Sequence, residues 1–336
     1  MDGRPLEVTV LSGSLGSGKT TLLVDWLKAE PRSDVGLIVN EAGAIDVDGA
    51  LVASQKGDRP VRLLPSGCLC CSMKDDLVGA VEQLIDTRYR SDGTLLRKIV
   101  IETSGLARPV SVVGSLLTPE LRQHGLSIQV VCTFDCRHGP AALARGGPLR
   151  AQLATAQRIV LTKLDLAGDH GAAAMVDGLR RLNPLADYAA ASDRGELVRQ
   201  AFLPARRIDA GNFHELIPSG AADTGHDDVR IASYALDGLL SWPEFSARLD
   251  DLAAFLGERL LRAKFLLLVE GVADPVLLQS VGPRFSNPTA VPGLALEASR
   301  LVFIFQDIDL PCFRERFDET IGALAQLSGI QEGLPS

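Results

Sequence analysis

The sequence lacks three features that would place it in other broad classes of protein. It has no excess of basic residues, since 34 lysines and arginines stand against 42 aspartates and glutamates, for a net charge of −8. That balance argues against a broad nucleic-acid or anionic-membrane footprint. No uncharged apolar stretch approaches the ~18 residues that a membrane span needs. The first residues, MDGRP, lack the basic head, apolar middle and cleavage site of a secretory signal, so we expect a cytoplasmic protein.

Cysteines are few, and three of the six lie within four residues, at Cys68, Cys70 and Cys71. In a reducing cytosol such a cluster indicates metal or redox chemistry rather than disulfides. Thiolates select Zn²⁺, Cu⁺ or similar soft ions over Mg²⁺. No second CxxC motif is present to close a four-ligand structural zinc site. The cluster therefore predicts a transition-metal site with an accessible position; redox-sensing thiols or simple buried cysteines are the alternatives. Cys132, within an apolar run, is expected in the core.

The chain is long enough for two domains, and its pattern changes about two-thirds of the way along. Residues 1–217 alternate short β-branched runs with helical patterns, which is typical of βαβ units around a mostly parallel sheet. The predicted strands are 7–11, 35–40, 61–64, 98–102, 127–134 and 158–162, and helices are expected to start near 18, 74, 110, 150 and 171. Residues 218–228 read as a linker. Residues 229–336 predict a strand at 229–236, a helix at 242–256, strands near 260–269, 275–281 and 301–305, and a last helix from about 311 to 327. This order predicts a smaller α+β domain. The fold class is therefore α/β with a separate α+β domain.

The strongest motif is a complete G-x-x-x-x-G-K-[ST] sequence between a predicted strand and an apolar-periodic helix. Its glycines let backbone N–H groups turn inward around an anion at a helix N-terminus. Lys19 can reach the β- and γ-phosphates of a nucleotide, and the Thr20 hydroxyl can bind Mg²⁺. This motif predicts a P-loop NTPase. The predicted phosphate-binding residues are Gly13, Ser14, Gly16, Ser17, Gly18, Lys19, Thr20 and Thr21.

Two further segments predict the metal and switch elements of such a site. The apolar strand 98–102 ends in Glu102, near where Mg²⁺ would lie, and Gly105 follows in a small-residue loop able to sense the γ-phosphate. The segment after the second strand supplies Glu41 and Asp46, whose oxygens suit Mg²⁺ or the thiol-bound metal. We assign Lys19, Thr20 and Glu102 to catalysis, Thr20, Asp46 and Glu102 to Mg²⁺, and Glu41 to the transition metal.

A base-reading motif, T-K-x-D, ends a later strand at Thr162, Lys163 and Asp165. In N-K-x-D GTPases the aspartate accepts hydrogen bonds from the guanine N1–H and 2-amino groups, and adenine offers neither donor. A site built on such pairing discriminates by about 10⁴ or more. Thr162 stands where asparagine is usual, which leaves ATP as an open alternative.

In this order, the motifs resemble the CobW/YjiA-like family of P-loop GTPases, related to the metallochaperone GTPases of urease and hydrogenase maturation. The resemblance rests on the P-loop, the Cys68-x-Cys70-Cys71 motif, the segment 102–107, T-K-x-D and two later segments, 261–264 and 300–304. It implies a GTPase that uses GTP/GDP and Mg²⁺, binds Zn²⁺ or Co²⁺ at the cysteines and delivers the ion to a client metalloprotein or cofactor pathway. The C-terminal domain offers no catalytic constellation, and we assign it to client recognition or to formation of a homodimer.

The sequence departs from the family pattern at two positions near these motifs. Ala44 replaces a frequent second glutamate, and Arg108 replaces a usual aspartate. No evident glutamine or arginine finger would orient the attacking water, so we expect slow intrinsic hydrolysis. Three other readings remain open: an activator of a metalloenzyme such as nitrile hydratase, an ATP-using enzyme acting on a small molecule, and a zinc-structured interaction protein.

Overall fold

The computed structural model describes residues 5–29, 34–40, 61–64, 72–86, 95–138, 141–144, 146–167, 172–203, 228–322 and 324. The chain divides into two compact units, the first of residues 1–179 and 186–206 and the second of residues 180–185 and 207–336. Across the described ranges, none of the helices has the length and apolar character to cross a membrane.

A fully parallel sheet of seven strands forms the centre of the first unit. The strands are β1 (Leu6–Gly13), β2 (Val35–Asn40), β3 (Val61–Leu64), β4 (Lys98–Glu102), β5 (Leu126–Asp135), β6 (Arg158–Thr162) and β7 (Asp187–Ala189). Their order across the sheet is β3-β2-β4-β1-β5-β6-β7. The apolar runs of β2 and β4 are buried along their length, as expected for parallel strands covered on both faces.

The helices described in this part of the chain include three that begin with proline. They are α1 (Lys19–Ala29), α2 (Ser72–Asp86), α3 (Pro109–Leu116), α4 (Pro119–Arg122), α5 (Ala141–Ala144), α6 (Pro148–Thr155), α7 (Ala172–Leu182) and α8 (Arg194–Phe202). Proline begins α3, α4 and α6, where its missing N–H has no helical partner to lose. In α1, Trp26 stacks on Phe202 of α8 with ring centroids 4.4 Å apart, which fixes α1 against the sheet core.

The strand order places the carboxyl ends of several strands at one edge of the sheet. β1 lies between β4 and β5 and is parallel to both. The chain extends from β1 first towards β3 on one side and later towards β7 on the other, so the end of β1 is a topological switch point. In open α/β sheets ligands bind outside the carboxyl ends of the strands at such a point. The P-loop begins there.

The second unit contains an antiparallel sheet covered on one face by two helices. Its elements are β8 (Val229–Leu236), α9 (Trp242–Leu256), β9 (Leu260–Leu267), β10 (Val276–Val281), β11 (Arg284–Phe285), β12 (Thr289–Ala290), β13 (Ser299–Gln306) and α10 (Leu310–Phe317). The sheet order is β11-β10-β9-β13-β8, with β12 paired to β10. Alternate residues Leu301, Phe303 and Phe305 of β13 share a core with α9 and α10. The expected α+β architecture is confirmed.

Aromatic rings dominate this second core. Phe313 of α10 is fully buried and stacks on Phe305 with centroids 4.2 Å apart. Phe303 meets Phe313 edge-on at 5.3 Å, and Tyr234 stacks on Phe317 at 3.6 Å. Burial raises the pKa of Tyr234 to about 12. Stacked and edge-on pairs add to the area that the rings bury, so this cluster fixes α10 on the sheet.

Several elements differ from the sequence prediction. Strands β7, β11 and β12 and helices α4 and α5 were not predicted, because two to four residues are too few to show a period. Helix α8 was also missed. The last helix was expected to run unbroken from 311, but its regular α-helical part ends at Phe317, and Asp318–Gly322 form a wider π-type turn. The Thr320 hydroxyl lies 2.7 Å from the Arg316 carbonyl oxygen and 3.1 Å from that of Phe317, and such side-chain bonds to the preceding turn disturb the helical ladder. Residues 325–327 lie outside the described part.

We expect Phe313→Ala to lower the free energy of unfolding of the second unit by about 3–5 kcal/mol, because it removes a fully buried ring and leaves a cavity. The chain has two tryptophans. In a Trp26→Phe background, Trp242 of α9 therefore reports urea unfolding of this unit by fluorescence. Leu239→Ala is the matched control, since Leu239 is 56% exposed. A midpoint for Phe313→Ala no lower than that of the control would contradict the prediction.

Candidate functional site

The P-loop connects β1 to α1 in a conformation that requires glycine. Gly13, Gly16 and Gly18 all have positive φ, at 136°, 75° and 93°. A Cβ atom at Gly13 would lie 2.4 Å from Thr133 Oγ1 and 2.6 Å from the Thr133 carbonyl oxygen, both on the neighbouring strand β5. Gly13 therefore meets two demands at once, an unusual backbone angle and close contact with β5.

Hydroxyl groups fasten this loop to the strands on one side of β1. Ser17 Oγ and Thr133 Oγ1 are hydrogen bonded at 2.6 Å, and both side chains are fully buried. Thr162 Oγ1 lies 2.8 Å from the Ser17 carbonyl oxygen and 3.0 Å from that of Phe134. Thr162, which stands at the asparagine position of the base-reading motif, thus binds the P-loop backbone through its hydroxyl.

Lys19 folds back over the loop that precedes it. Its Nζ donates to the carbonyl oxygens of Gly13 at 2.8 Å and Ser14 at 3.0 Å. Burial lowers the pKa of Lys19, while the nearby Glu102 carboxylate acts in the opposite direction. The side chain is 7% exposed. A buried ammonium group inside a ring of backbone amides is suited to polyphosphate, which would take over its carbonyl contacts.

The Thr20 hydroxyl and the Glu102 carboxylate meet beside this lysine. Thr20 Oγ1 donates to Glu102 Oε1 at 2.5 Å, joining the start of α1 to the end of β4. Both groups are hard oxygen donors of the kind that Mg²⁺ prefers, so the donor set fits that ion. The structure brings these two predicted Mg²⁺ residues together. Asp46, the third, lies outside the described residues.

The loop after β4 packs directly on the P-loop. A Cβ atom at Gly105 would lie 2.5 Å from the backbone nitrogen of Leu15 and 2.9 Å from its Cα. The loop begins at Thr103, whose backbone nitrogen donates to the Leu11 carbonyl oxygen at 3.0 Å. The side chains of Leu15 and Leu106 are 90% and 76% exposed beside this contact. Any residue larger than glycine at 105 would push the two loops apart.

The base-reading segment is tied to the same loop from the other side. Lys163 adopts a left-handed conformation (φ 56°), which turns its side chain towards the P-loop. Its Nζ donates to the Gly16 carbonyl oxygen at 2.5 Å and to Asp135 Oδ2 at 2.7 Å. Asp165 is exposed in the short turn that follows. Thr21, the last of the predicted phosphate-binding residues, is exposed at the start of α1.

Sequence reasoning missed Asp135, the last residue of β5. It is 3% exposed and also accepts hydrogen bonds from the Arg137 guanidinium at 2.7 and 3.0 Å and from the Arg137 backbone at 3.1 Å. Burial alone would raise the pKa of this carboxyl, but the Arg137 and Lys163 hydrogen bonds outweigh it and hold the pKa well below its usual range. An acid ending an apolar strand, as Glu102 does, is the signal that could have identified it.

The predicted transition-metal ligands Cys68, Cys70, Cys71 and Glu41 lie outside the described residues. The described chain stops at Leu64, the carboxyl end of β3, and resumes at Ser72, the start of α2. Over the described ranges no group of three or more His, Cys, Asp or Glu side chains could hold a metal ion. Cys132 is fully buried, which confirms its expected place in the core. Burial raises its pKa to about 12, so it stays a thiol.

We expect Asp135→Asn to lower the free energy of unfolding by about 2 kcal/mol at neutral pH, because it removes a buried charged acceptor of several hydrogen bonds. A depressed native pKa contributes stability above the unfolded value near 4 and loses it as the pH falls below. The difference from the wild type, measured by urea unfolding, should hold from about pH 5 to 8 and shrink below about pH 4.

Asp25→Asn is the matched control for this substitution. Its carboxylate pairs with Arg194 at 2.7 Å, but both side chains are about a third or more exposed, so the loss should stay below about 1 kcal/mol. Equal losses in the two variants, or a difference for Asp135→Asn that does not change in acid, would contradict the prediction.

Comparison with protein-family models assigns both parts of the chain. Residues 7–189 match the CobW/HypB/UreG nucleotide-binding domain, and residues 229–321 match the cobalamin synthesis protein cobW C-terminal domain. The chain is 30% identical over 318 residues to the zinc chaperone YjiA of Escherichia coli, covering 91% of this chain and 95% of that protein. It is 28% identical over 319 residues to the zinc chaperone CobW of a Sinorhizobium species, covering 84% and 87%.

The solved structures agree on the fold. The zinc-bound YjiA GTPase from E. coli superposes with a TM-score of 0.62 at 20% identity, covering 94% of this chain and 99% of that chain. A zinc-bound triple mutant of YjiA gives a TM-score of 0.66 at 22% identity. The P-loop fold with a separate α+β domain is therefore confirmed. With both family domains present in order, the chain belongs to the CobW/HypB/UreG family of nucleotide-binding proteins.

Proposed function

We propose that this protein is a GTP-hydrolysing metallochaperone that carries zinc or cobalt on Cys68, Cys70 and Cys71 to a client metalloprotein or cofactor pathway. Nucleotide binding is supported by one connected set of hydrogen bonds among the P-loop, Glu102 and Lys163. The metal half is supported by the cysteine motif and by relatives named as zinc chaperones. We place its action in the cytoplasm.

In this proposal the P-loop binds the phosphates and Lys19 exchanges its contacts with Gly13 and Ser14 for the β- and γ-phosphates. Thr20 and Glu102 would hold Mg²⁺, which when bound neutralises charge that develops on the phosphate oxygens. The Gly105 loop packs on the P-loop backbone at Leu15, and this loop is where the γ-phosphate would be sensed. Positioning and charge stabilisation by these groups supply the catalysis, with a slow intrinsic rate.

The guanine base is assigned to Lys163 and Asp165. The Lys163 side chain spans from Asp135 to the P-loop, which holds the base segment beside the phosphate-binding residues. Asp165 is exposed, and the backbone N–H groups of Leu166 and Ala167 donate to the carbonyl oxygens of Lys163 and Leu164. Its carboxylate is therefore available for the two guanine donors.

The metal and the nucleotide are coupled in this proposal through the sheet edge. β3 is parallel to the other strands, so its carboxyl end at Leu64 lies at the same edge as the ends of β1 and β4. The cysteine segment follows four residues later in sequence. GTP binding would order the switch segments that contain Glu41 and Asp46 and tighten the thiolate site, and hydrolysis would relax it and release the ion. A homodimer is compatible with this cycle.

We expect Asp165→Asn to weaken GTP binding by about 10- to 100-fold, because two hydrogen bonds to a charged acceptor are lost or impaired. Binding of xanthosine triphosphate should improve, since its C2 carbonyl accepts from the new amide. Fluorescent-nucleotide titration of GTP, ATP and xanthosine triphosphate measures both effects, with Asp25→Asn as the control on α1. ATP binding as tight as GTP binding in the wild type would contradict guanine recognition.

We expect Zn²⁺ to bind more tightly in the presence of a non-hydrolysable GTP analogue than with GDP or no nucleotide, by about 5- to 150-fold. By linkage Zn²⁺ should tighten binding of the analogue by the same factor. Competition titration with a chromophoric chelator measures the affinity in the three states. Cys70→Ala/Cys71→Ala should abolish the effect and Cys312→Ala, an exposed cysteine in the second unit, should preserve it. Equal affinities in all three states would remove the coupling.

A further inference from the structure

A buried glutamine on α6 holds the loop that follows β4. Gln152 is 1% exposed, and its Nε2 donates to the carbonyl oxygen of Gly105 at 3.0 Å and to that of Ala107 at 2.9 Å. Both amide hydrogens are therefore used on two carbonyl groups that flank a single residue, Leu106. The loop has no regular secondary structure of its own to supply these partners.

The two bonds fix the part of the loop that touches the P-loop. Thr103 attaches the beginning of the loop to β1 at the Leu11 carbonyl oxygen, and an internal turn bond joins Ala107 N to the Ser104 carbonyl oxygen at 3.1 Å. Between these points Gly105 packs against the Leu15 backbone. Gln152 thus binds the carbonyl group of the same residue that packs against the P-loop backbone at Leu15.

The anchor itself is rigid. α6 is covered by the core, with Leu153, Ala154 and Thr155 fully buried beside Gln152. The next residues lead into β6, which ends at Thr162, and Thr162 and the following Lys163 both hydrogen bond to the P-loop backbone. The Oε1 atom of Gln152 is buried and makes no hydrogen bond within the described residues. An unpaired buried oxygen destabilises the fold, so the donors, rather than the acceptor, account for an amide at this position.

We propose that Gln152 is a positioning residue that presets the Gly105 loop for the γ-phosphate and so sets the preference for the triphosphate over the diphosphate. The inference rests on the proposed GTPase function. A loop already held in place loses less conformational freedom when the γ-phosphate binds, and that saving applies only to a nucleotide that has the third phosphate. GDP binding, which uses the P-loop and the base segment, does not depend on the position of the Gly105 loop.

The test is Gln152→Leu, which keeps the bulk and removes both donors. The dissociation constant for a non-hydrolysable GTP analogue should rise about 10-fold, since two net hydrogen bonds are lost, while that for GDP stays within about 2-fold of the wild type. Thr155→Val is the matched control. Thr155 is equally buried on the same helix and donates to the Ala151 carbonyl oxygen at 2.7 Å, but it has no contact with the loop among its hydrogen bonds.

Proportional loss of both affinities in Gln152→Leu would assign the residue a purely structural role, and unchanged affinities would remove the proposal. If Gln152→Leu does not fold, isosteric Gln152→Glu serves instead, because its carboxylate repels the same two carbonyl groups and should lower the analogue-to-GDP preference. A wild-type protein that binds neither GTP nor its analogue would refute the proposed function itself. A wild type that binds both with a variant of unchanged preference would refute only this inference.

Discussion

The close approach of backbone to backbone around the P-loop is the constraint on which the rest of the site depends. Gly13 lies against Thr133 of β5, and Gly105 lies against Leu15 from the β4 side, each with no room for a Cβ atom. The loop is thus held between the neighbours of β1 on both sides. A phosphate-binding loop has to present several N–H groups to one anion, and that geometry survives only if neighbouring loops leave it no alternative conformation.

Charge is distributed around this loop in a way that leaves it ready for an anion. Two lysines approach its carbonyl oxygens, Lys19 from inside and Lys163 from the base segment, and each is balanced by an acid, Glu102 or Asp135. A charge that is partly or fully withdrawn from water is strongly destabilising when its partner of opposite charge is removed. The same arrangement explains why Asp135 stays ionised, because protonation would remove the negative charge that Arg137 and Lys163 share.

Much of the fold could be read from the sequence, because βαβ repetition and a P-loop each carry a local physical signature. β2, β3, β4 and β6 were predicted with the bounds observed, and so were β8 and α9. Three-residue β7 and the π-type turn after Phe317 were not, since the first is too short to show a period and the second depends on where the Thr320 hydroxyl points. A sequence pattern indicates periodicity, and it does not show individual side-chain hydrogen bonds such as that of Thr320.

The site was predictable where a motif encodes it and hidden where contacts across the fold create it. Lys19 and Thr20 could be named because they belong to the P-loop motif, and Glu102 because it ends an apolar strand. The structure brings the three residues together. Gln152 could not be named, because nothing local distinguishes an amide on α6 until the fold places it beside Gly105. Asp135 ends an apolar strand as Glu102 does, but only the fold shows that it lies beside Lys163. In the sequence, threonine at position 162 suggested only that the base-reading motif is weakened.

The contacts of Thr162 show what a threonine does at the asparagine position of this motif. At the asparagine position of a base-reading motif, the physical requirement met here is a donor that ties the base segment to the P-loop, and a hydroxyl 2.8 Å from the Ser17 carbonyl oxygen meets it. In the proposed function the base is read by Asp165, whose exposed carboxylate lies on the turn that follows. Thr162 would then anchor the segment, and the carboxylate that distinguishes guanine from adenine would not depend on an asparagine at position 162.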